Sequence, residues 1–287
     1  MEWIIKYITS SIGKKQIMGC TGAILAMFIL GHMVGNIQLI NFDPSAAQAS
    51  YNAYCELLTG KKAFIYTIEA VMMAVFALHV FLAVTLKLQN KKARGGMDYD
   101  VNARKGKKTF ATFTMIWSGL FVVFFLVTHL MALKFGEHFF YQNPDVADGK
   151  VVRDMWLTTI MAFADIKFSA FYVVSMFIVG LHLFHAISSA FQTLGIAHQK
   201  WTPFIELLGI VYSVVVALGF ALIAVGSFVL ANKPETQALI EKSRDTGTQK
   251  MLEEQKKMEE SKNGAFILPS SIENTQVSYV YEMNGGL

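Results

Sequence analysis

Five long apolar stretches constrain the fold of this chain more than any other feature of its sequence. Each is long enough to cross about 30 Å of hydrocarbon, which takes roughly 20 helical residues; they cover 17–40, 63–86, 109–133, 168–191 and 203–231. The only charged residues inside them are Glu69 and Glu206. Because hydrocarbon offers no water to satisfy a peptide backbone, we expect five membrane-spanning helices. The predicted fold class is all-α, a five-helix transmembrane bundle.

Basic residues outside these spans predict the orientation of the bundle. The loops on one side hold 12 Lys and Arg, and the loops on the other hold 6 over a similar length: 1–16, 87–108 and 192–205 against 41–62 and 134–167. The positive-inside rule places the first set, including the amino terminus, in the cytoplasm. The net charge of +4 reflects this topology and does not indicate binding to nucleic acid.

The remaining segments divide the chain into three parts. Residues 1–16 form a cytoplasmic amino-terminal segment, 17–231 the transmembrane domain, and 232–287 a polar, charged tail that we expect to be a solvated helix or a disordered extension. Within the loop 134–167, the apolar run 155–163 predicts a short helix at the membrane interface. The two cysteines are too few for a disulfide scaffold or for a cysteine-ligated iron–sulfur cluster.

Histidines are the most informative residues inside the spans. Five of the seven lie there: His32, His79, His129, His182 and His185. Ionisable side chains inside a membrane are costly and mark functional sites by default. Taken singly, each can also be a neutral imidazole that donates to a carbonyl of a neighbouring helix.

Depth along the predicted helices sorts four of these histidines into two layers. At about 1.5 Å per residue, His32 and His129 lie in the outer half of outward-running helices. His79 and His182 lie in the inner half of inward-running helices, with His185 as an alternative to His182. We call His32 with His129 the outer pair, and His79 with His182 the inner pair. Two facing imidazoles in a helical bundle are the ligand set of a b-type haem, so the pattern predicts two haem b groups whose irons these four residues ligate.

The first and third spans resemble each other around these ligands. Thr21-Gly22 precedes His32 as Ser118-Gly119 precedes His129, with ten residues from glycine to histidine in both. Ten residues correspond to about 15 Å, the depth of the inner pair. We hypothesise that Gly22 and Gly119 leave room for the inner porphyrin; close packing of helices through small residues is the alternative.

Glu69 is the only charged residue well inside a span. It lies near the level of the outer pair, where a carboxylate can exchange protons with a quinone as a general acid or base. The alternative is a carboxylate that bonds to a neighbouring helix near the interface.

These residues resemble a known family, the di-haem cytochrome b membrane-anchor subunits of succinate dehydrogenase and fumarate reductase, the succinate:quinone oxidoreductases. The resemblance covers roughly residues 8–230. It rests on helix order, on ligand spacing and on these segments: Ser10-Ser11-Ile12-Gly13-Lys14-Lys15, Thr21-Gly22, Gly31-His32-Met33-Val34-Gly35-Asn36, Asn52-Ala53-Tyr54, Lys92-Ala93-Arg94 with Tyr99, and Gln192-Thr193-Leu194-Gly195.

The resemblance implies a subunit of a bacterial cytoplasmic-membrane complex that also contains a flavoprotein and an iron–sulfur subunit. It implies electron transfer to or from menaquinone, and it favours His182 over His185. One departure is Gly180, where some fumarate reductases of the family carry a glutamate implicated in proton movement. The alternatives to this family are the cytochrome b subunit of a hydrogenase or formate dehydrogenase, and a haem-free membrane transporter.

Overall fold

The computed structural model describes residues 2–93, 110–142, 151–196 and 198–264, and it is mostly helical. The elements follow in this order: α1 (Glu2–Thr9), α2 (Ser11–Asn36) continued by a 3₁₀ turn (Ile37–Ile40), α3 (Pro44–Thr59), α4 (Lys62–Ala93), α5 (Phe110–His129) continued by a π-helical turn (Leu130–Lys134), β1 (Phe140–Gln142), β2 (Val151–Arg153), α6 (Met155–Ala162), α7 (Ile166–Thr193), α8 (Thr202–Ala231) and α9 (Pro234–Gly264).

Five helices in the described part of the chain are long and apolar enough to cross a membrane. They are α2 with its 3₁₀ turn, α4, α5 with its π turn, α7 and α8. The predicted all-α bundle of five spans is therefore confirmed. The helices begin where side chains can cap them: the Ser10 hydroxyl accepts from the Gly13 N–H, and the Asp165 carboxylate accepts from the Lys167 N–H.

The spanning helices run alternately up and down, and their outer surfaces are apolar. Among the described helices, α7 and α8 make the most extensive contact. Helix α2 packs on α4 and α7, and α5 packs on α7. Exposed aliphatic and aromatic side chains cover the outside of the bundle, which suits contact with lipid. We call the end of the bundle next to α1 the α1 end, and the opposite end the α3 end.

The α3 end is capped by a compact polar and apolar cluster beneath α3. The Asp154 carboxylate is fully buried and accepts from the side-chain amides of Gln48 and Asn52 and from the Leu157 N–H. The Trp156 indole N–H donates to the carbonyl of Leu39 at 3.2 Å. These bonds join α3 and α6 to the end of α2.

The short helix predicted at 155–163 is present as α6, and protein covers its apolar side chains. Trp156, Leu157 and Ile160 are fully buried within the protein. The apolar run alone does not distinguish lipid from protein as the surface that covers it.

The first half of the tail packs on the folded domain. In α9, Thr236, Ile240 and Ser243 are buried, and the Ser243 hydroxyl accepts from the backbone N–H of Phe140 in β1. Residues 251–258 of α9 are exposed, as expected for a charged helix. Of the predicted tail, residues 265–287 lie outside the described residues.

Candidate functional site

The outer pair meets between α2 and α5. The ring centroids of His32 and His129 lie 5.9 Å apart, with the ring planes at 80°. Two imidazoles that share one metal through nitrogen–metal bonds of about 2 Å place their centroids roughly 6 Å apart. The centroid separation of the outer pair is therefore compatible with two imidazoles that ligate one metal.

Aromatic side chains surround the outer pair. The Phe28 ring stacks on His32 with centroids 5.6 Å apart, and the Phe125 ring lies 5.7 Å from His129. Phe220 of α8 lies 5.9 Å from His32. Such rings exclude water and provide flat apolar walls of the kind that line cofactor sites.

Polar groups contact the second ring nitrogen of each outer histidine. The Tyr172 hydroxyl lies 3.2 Å from Nδ1 of His129. The Asn36 amide nitrogen donates to the carbonyl of His32 and lies 3.4 Å from its Nδ1. The Tyr51 hydroxyl donates to the Asn36 side-chain oxygen, which fixes the orientation of this amide.

The inner histidines are each held by a hydroxyl of an adjacent helix. Thr21 Oγ1 of α2 lies 3.1 Å from Nδ1 of His79 on α4. Ser118 Oγ of α5 lies 3.0 Å from Nδ1 of His182 on α7.

The glycines next to these hydroxyls face the same imidazoles. A Cβ placed on Gly22 would lie 3.2 Å from Cε1 of His79, and one placed on Gly119 would lie 3.3 Å from Cε1 of His182. Both separations are tighter than normal van der Waals contact. The space that each glycine provides is thus used at least in part by a histidine ring, which the hypothesis of porphyrin clearance did not anticipate.

The number of ligands that a protein offers at one place limits the metal sites it can form. A structural metal site takes about four protein ligands, and within the described ranges no three His, Cys, Asp or Glu side chains are grouped to hold an ion. A haem supplies four ligands from its own ring and needs only two from the protein. The ligand number and the apolar, aromatic walls fit this cofactor.

Glu69 lies on the outside of α4 and pairs with Lys134 of the π turn. Its Oε2 atom is 2.6 Å from Lys134 Nζ, and both side chains are more than 40% exposed. The guanidinium of Arg153 donates to the carbonyls of Lys134 and Leu133, which ties the π turn to β2. Single π turns often occur at functional sites, and here the turn follows directly after His129.

Two other sequence-predicted positions, His182 and Gly180, lie on α7. The Nδ1 atom of His182 contacts the Ser118 hydroxyl. His185 lies three residues further along α7. A Cβ on Gly180 would lie 2.9 Å from the Cβ of Ala217, so α8 leaves no room there for a glutamate. Arg94 and Tyr99, which belong to the family resemblance, lie outside the described residues.

Sequence reasoning did not find the partners of the histidines. Tyr172 carried no signal, because a tyrosine on an apolar helix is common. Thr21 and Ser118 stood out only as parts of a repeated dipeptide. A search for hydroxyl residues at the predicted depth of each histidine would have identified both.

Comparisons of this chain with protein-family models, with curated proteins and with solved structures found no match.

Proposed function

We propose that this chain is the di-haem cytochrome b membrane-anchor subunit of a succinate:quinone oxidoreductase, a succinate dehydrogenase or fumarate reductase. The observation that carries the proposal is that His32 and His129 meet between two spanning helices, while His79 and His182 each contact a hydroxyl of a neighbouring spanning helix. In the outer pair the rings stand 5.9 Å apart, and in the inner pair hydroxyls hold both Nδ1 atoms. Sequence resemblance to the family adds support.

In this proposal each pair holds one haem b. A haem with two histidine ligands has no open coordination position, so it supplies one-electron transfer and not oxygen chemistry. His32 and His129 hold the outer iron, and His79 and His182 hold the inner one. Phe28 and Phe125 keep water away from the outer pair, while Tyr172 orients the ring of His129.

Menaquinone is the proposed electron partner near the outer pair, and Glu69 is the proposed proton-exchanging group. Reduction of a quinone takes up protons, so a carboxylate that can accept and release them is needed nearby. The ion pair with Lys134 holds the Glu69 carboxylate in place.

The proposed complex places two soluble subunits at the cytoplasmic face of a bacterial cytoplasmic membrane. The flavoprotein supplies the dicarboxylate site, and the iron–sulfur subunit supplies the clusters that two cysteines cannot ligate here. The basic segments 87–108 and 192–205 are the proposed cytoplasmic contact surface, with the amino terminus on the same side.

A reduced-minus-oxidised optical spectrum of the purified chain tests the proposal. We expect a b-type band and two haems per chain by a pyridine haemochrome assay, with co-purification of a flavin-containing subunit from the native membrane. Absence of a b-type band would favour a haem-free transporter and overturn the proposal. Two haems with a hydrogenase or formate dehydrogenase as the co-purifying partner would keep the cytochrome and overturn the family assignment.

Single histidine variants test the pairing. We expect His32→Ala and His129→Ala to lose one and the same haem, and His79→Ala and His182→Ala to lose the other. His185→Ala is the matched control on α7, and we expect it to retain both haems. Loss of the same haem in His32→Ala and His79→Ala would contradict the layered arrangement.

A further inference from the structure

The hydrogen bonds of Thr21 determine which nitrogen of His79 carries the proton. Thr21 Oγ1 lies 3.0 Å from the carbonyl oxygens of Ile17 and Met18 on its own helix. A hydroxyl has one proton to donate, and carbonyl oxygens only accept. When that proton is donated to one of these two carbonyls, a lone pair of the Thr21 oxygen is available to Nδ1 of His79, 3.1 Å away.

It follows that His79 donates to Thr21 through Nδ1–H. A neutral imidazole carries one proton, so Nε2 of His79 keeps its lone pair free for a metal. In this arrangement the hydroxyl of Thr21 selects the tautomer that can ligate through Nε2.

The same pattern holds at His182. Ser118 Oγ donates to the carbonyl of Met115 at 3.0 Å and faces Nδ1 of His182 at 3.0 Å. In this arrangement both inner histidines carry their proton on Nδ1, and each faces a hydroxyl that is itself anchored to its own helix. At the outer pair the contacts are of other kinds, a phenol at His129 and a carboxamide at His32.

We infer that Thr21 and Ser118 are positioning residues for the inner iron: each fixes the ligating tautomer and the ring orientation of one inner histidine and makes that ligand more electron-rich. The inference rests on the proposed function, since it assumes that a haem binds between His79 and His182. A hydrogen bond accepted from the far N–H of a ligating histidine raises its donor strength. Stronger donation stabilises the ferric state, so the two hydroxyls lower the midpoint potential of the inner haem.

Redox titration of hydroxyl-deletion variants in the whole complex tests this inference. We expect Thr21→Val and Ser118→Ala each to shift the midpoint potential of the inner haem upward and to leave that of the outer haem unchanged. The inner haem should also change its low-temperature EPR g values, because the ring is free to rotate. The double variant should shift further than either single variant.

Conservative variants and a matched control separate positioning from packing. Thr21→Ser and Ser118→Thr keep the hydroxyl and should retain the wild-type potential. Ser175→Ala on α7 removes a buried hydroxyl that donates to the carbonyl of Phe171 on its own helix, and it should change neither haem.

Each outcome is decisive. The inference is overturned if the midpoint potential of the inner haem is unchanged in Thr21→Val and Ser118→Ala. It is also overturned if Thr21→Ser and Ser118→Thr shift this potential as much as the variants that lack the hydroxyl. In both cases two haems per chain would leave the proposed function intact. Loss of the inner haem in Thr21→Val with its retention in Thr21→Ser supports the inference; loss in both variants overturns it. Absence of haem from the wild-type chain overturns the proposed function itself.

Discussion

The hydroxyl of Thr21 lies 3.1 Å from Nδ1 of His79, and this contact joins α2 to α4 in the middle of the apolar bundle. Ser118 and His182 make the same contact between α5 and α7. Both contacts are made by a hydroxyl residue followed by a glycine. In both helix pairs, therefore, a hydroxyl residue followed by glycine contacts the inner histidine of the neighbouring helix. This shared contact explains why Thr21-Gly22 and Ser118-Gly119 lie at the same distance before His32 and His129.

The first prediction concerns Gly22, whose added Cβ would lie 3.2 Å from Cε1 of His79. We expect Gly22→Ala to displace the imidazole and to alter the spectrum of the inner haem, and Gly22→Leu to remove that haem. Alanine favours a helix over glycine by about 1 kcal/mol, so a loss would come from the contact with His79. Optical spectra with haem quantification measure the effect.

Gly31 provides the control for this prediction on the same helix. A Cβ on Gly31 meets nothing within 4 Å, so Gly31→Ala should leave the inner haem unchanged. A normal inner haem in Gly22→Leu would contradict a requirement for space at this position.

The fold and the placement of the histidines could be predicted from the sequence because both depend on simple periodicities. The lengths of the apolar runs locate the five spans to within a few residues at most ends, and 1.5 Å per residue places His32 and His129 at one level. The length of an apolar run and the rise per residue of a helix do not depend on how the helices pack against each other.

The contacts of the site could not be predicted in the same way, because they depend on how helices rotate against each other. Nothing in the residue order says that Tyr172 reaches His129, or that Lys134 reaches Glu69 through a π turn. The burial of Trp156 likewise depends on α3, which a hydropathy pattern does not position.

The second prediction concerns Asn52 beneath α3. Its side-chain amide donates to Asp154 at 2.8 Å, and its oxygen accepts from the backbone N–H groups of Met155 and Trp156. Asn52→Ala leaves these groups without a partner, at a cost of about 1–3 kcal/mol for each buried group left unsatisfied. We expect the melting temperature of the detergent-solubilised protein to fall by roughly 10 °C.

Ser50→Ala on the same helix is the matched control, because the Ser50 hydroxyl donates only weakly, at 3.2 Å, to the carbonyl of Ala47. It should melt close to the wild type. Equal melting temperatures for Asn52→Ala and Ser50→Ala would show that the polar cluster around Asp154 contributes little to stability.

The third prediction concerns the reactivity of Cys55 on α3. Burial raises the pKa of the Cys55 thiol to about 11. Only the thiolate reacts with alkylating reagents, and a thiol with a raised pKa stays protonated until the pH approaches that value. At pH 8 we expect iodoacetamide to modify Cys55 in the folded protein about a hundredfold more slowly than in the denatured chain, where the pKa is near 8.5.

The pH dependence distinguishes this cause from simple shielding. In a Cys20→Ser variant, which leaves Cys55 as the one thiol of the sequence, the alkylation rate should rise about tenfold per pH unit through pH 10. A rate that levels off near pH 9, measured by mass spectrometry, would mean that the thiol has an ordinary pKa and is only sterically protected.

The last prediction concerns the ion pair of Glu69 and Lys134, whose charged atoms lie 2.6 Å apart. If Glu69 exchanges protons with menaquinone, Glu69→Gln should lower quinone-dependent turnover by at least about tenfold, because general acid–base catalysis contributes factors of this size or larger. Both haems should remain, and electron transfer from the soluble subunits to a water-soluble artificial acceptor should continue at the normal rate.

Lys134→Gln separates proton exchange from the structural effect of the ion pair. It removes the pairing and keeps the Glu69 carboxylate, so quinone turnover should persist. A loss in Lys134→Gln equal to that in Glu69→Gln would indicate that the ion pair acts by holding α4 against the π turn. Full quinone turnover in Glu69→Gln would exclude this carboxylate from the proton path.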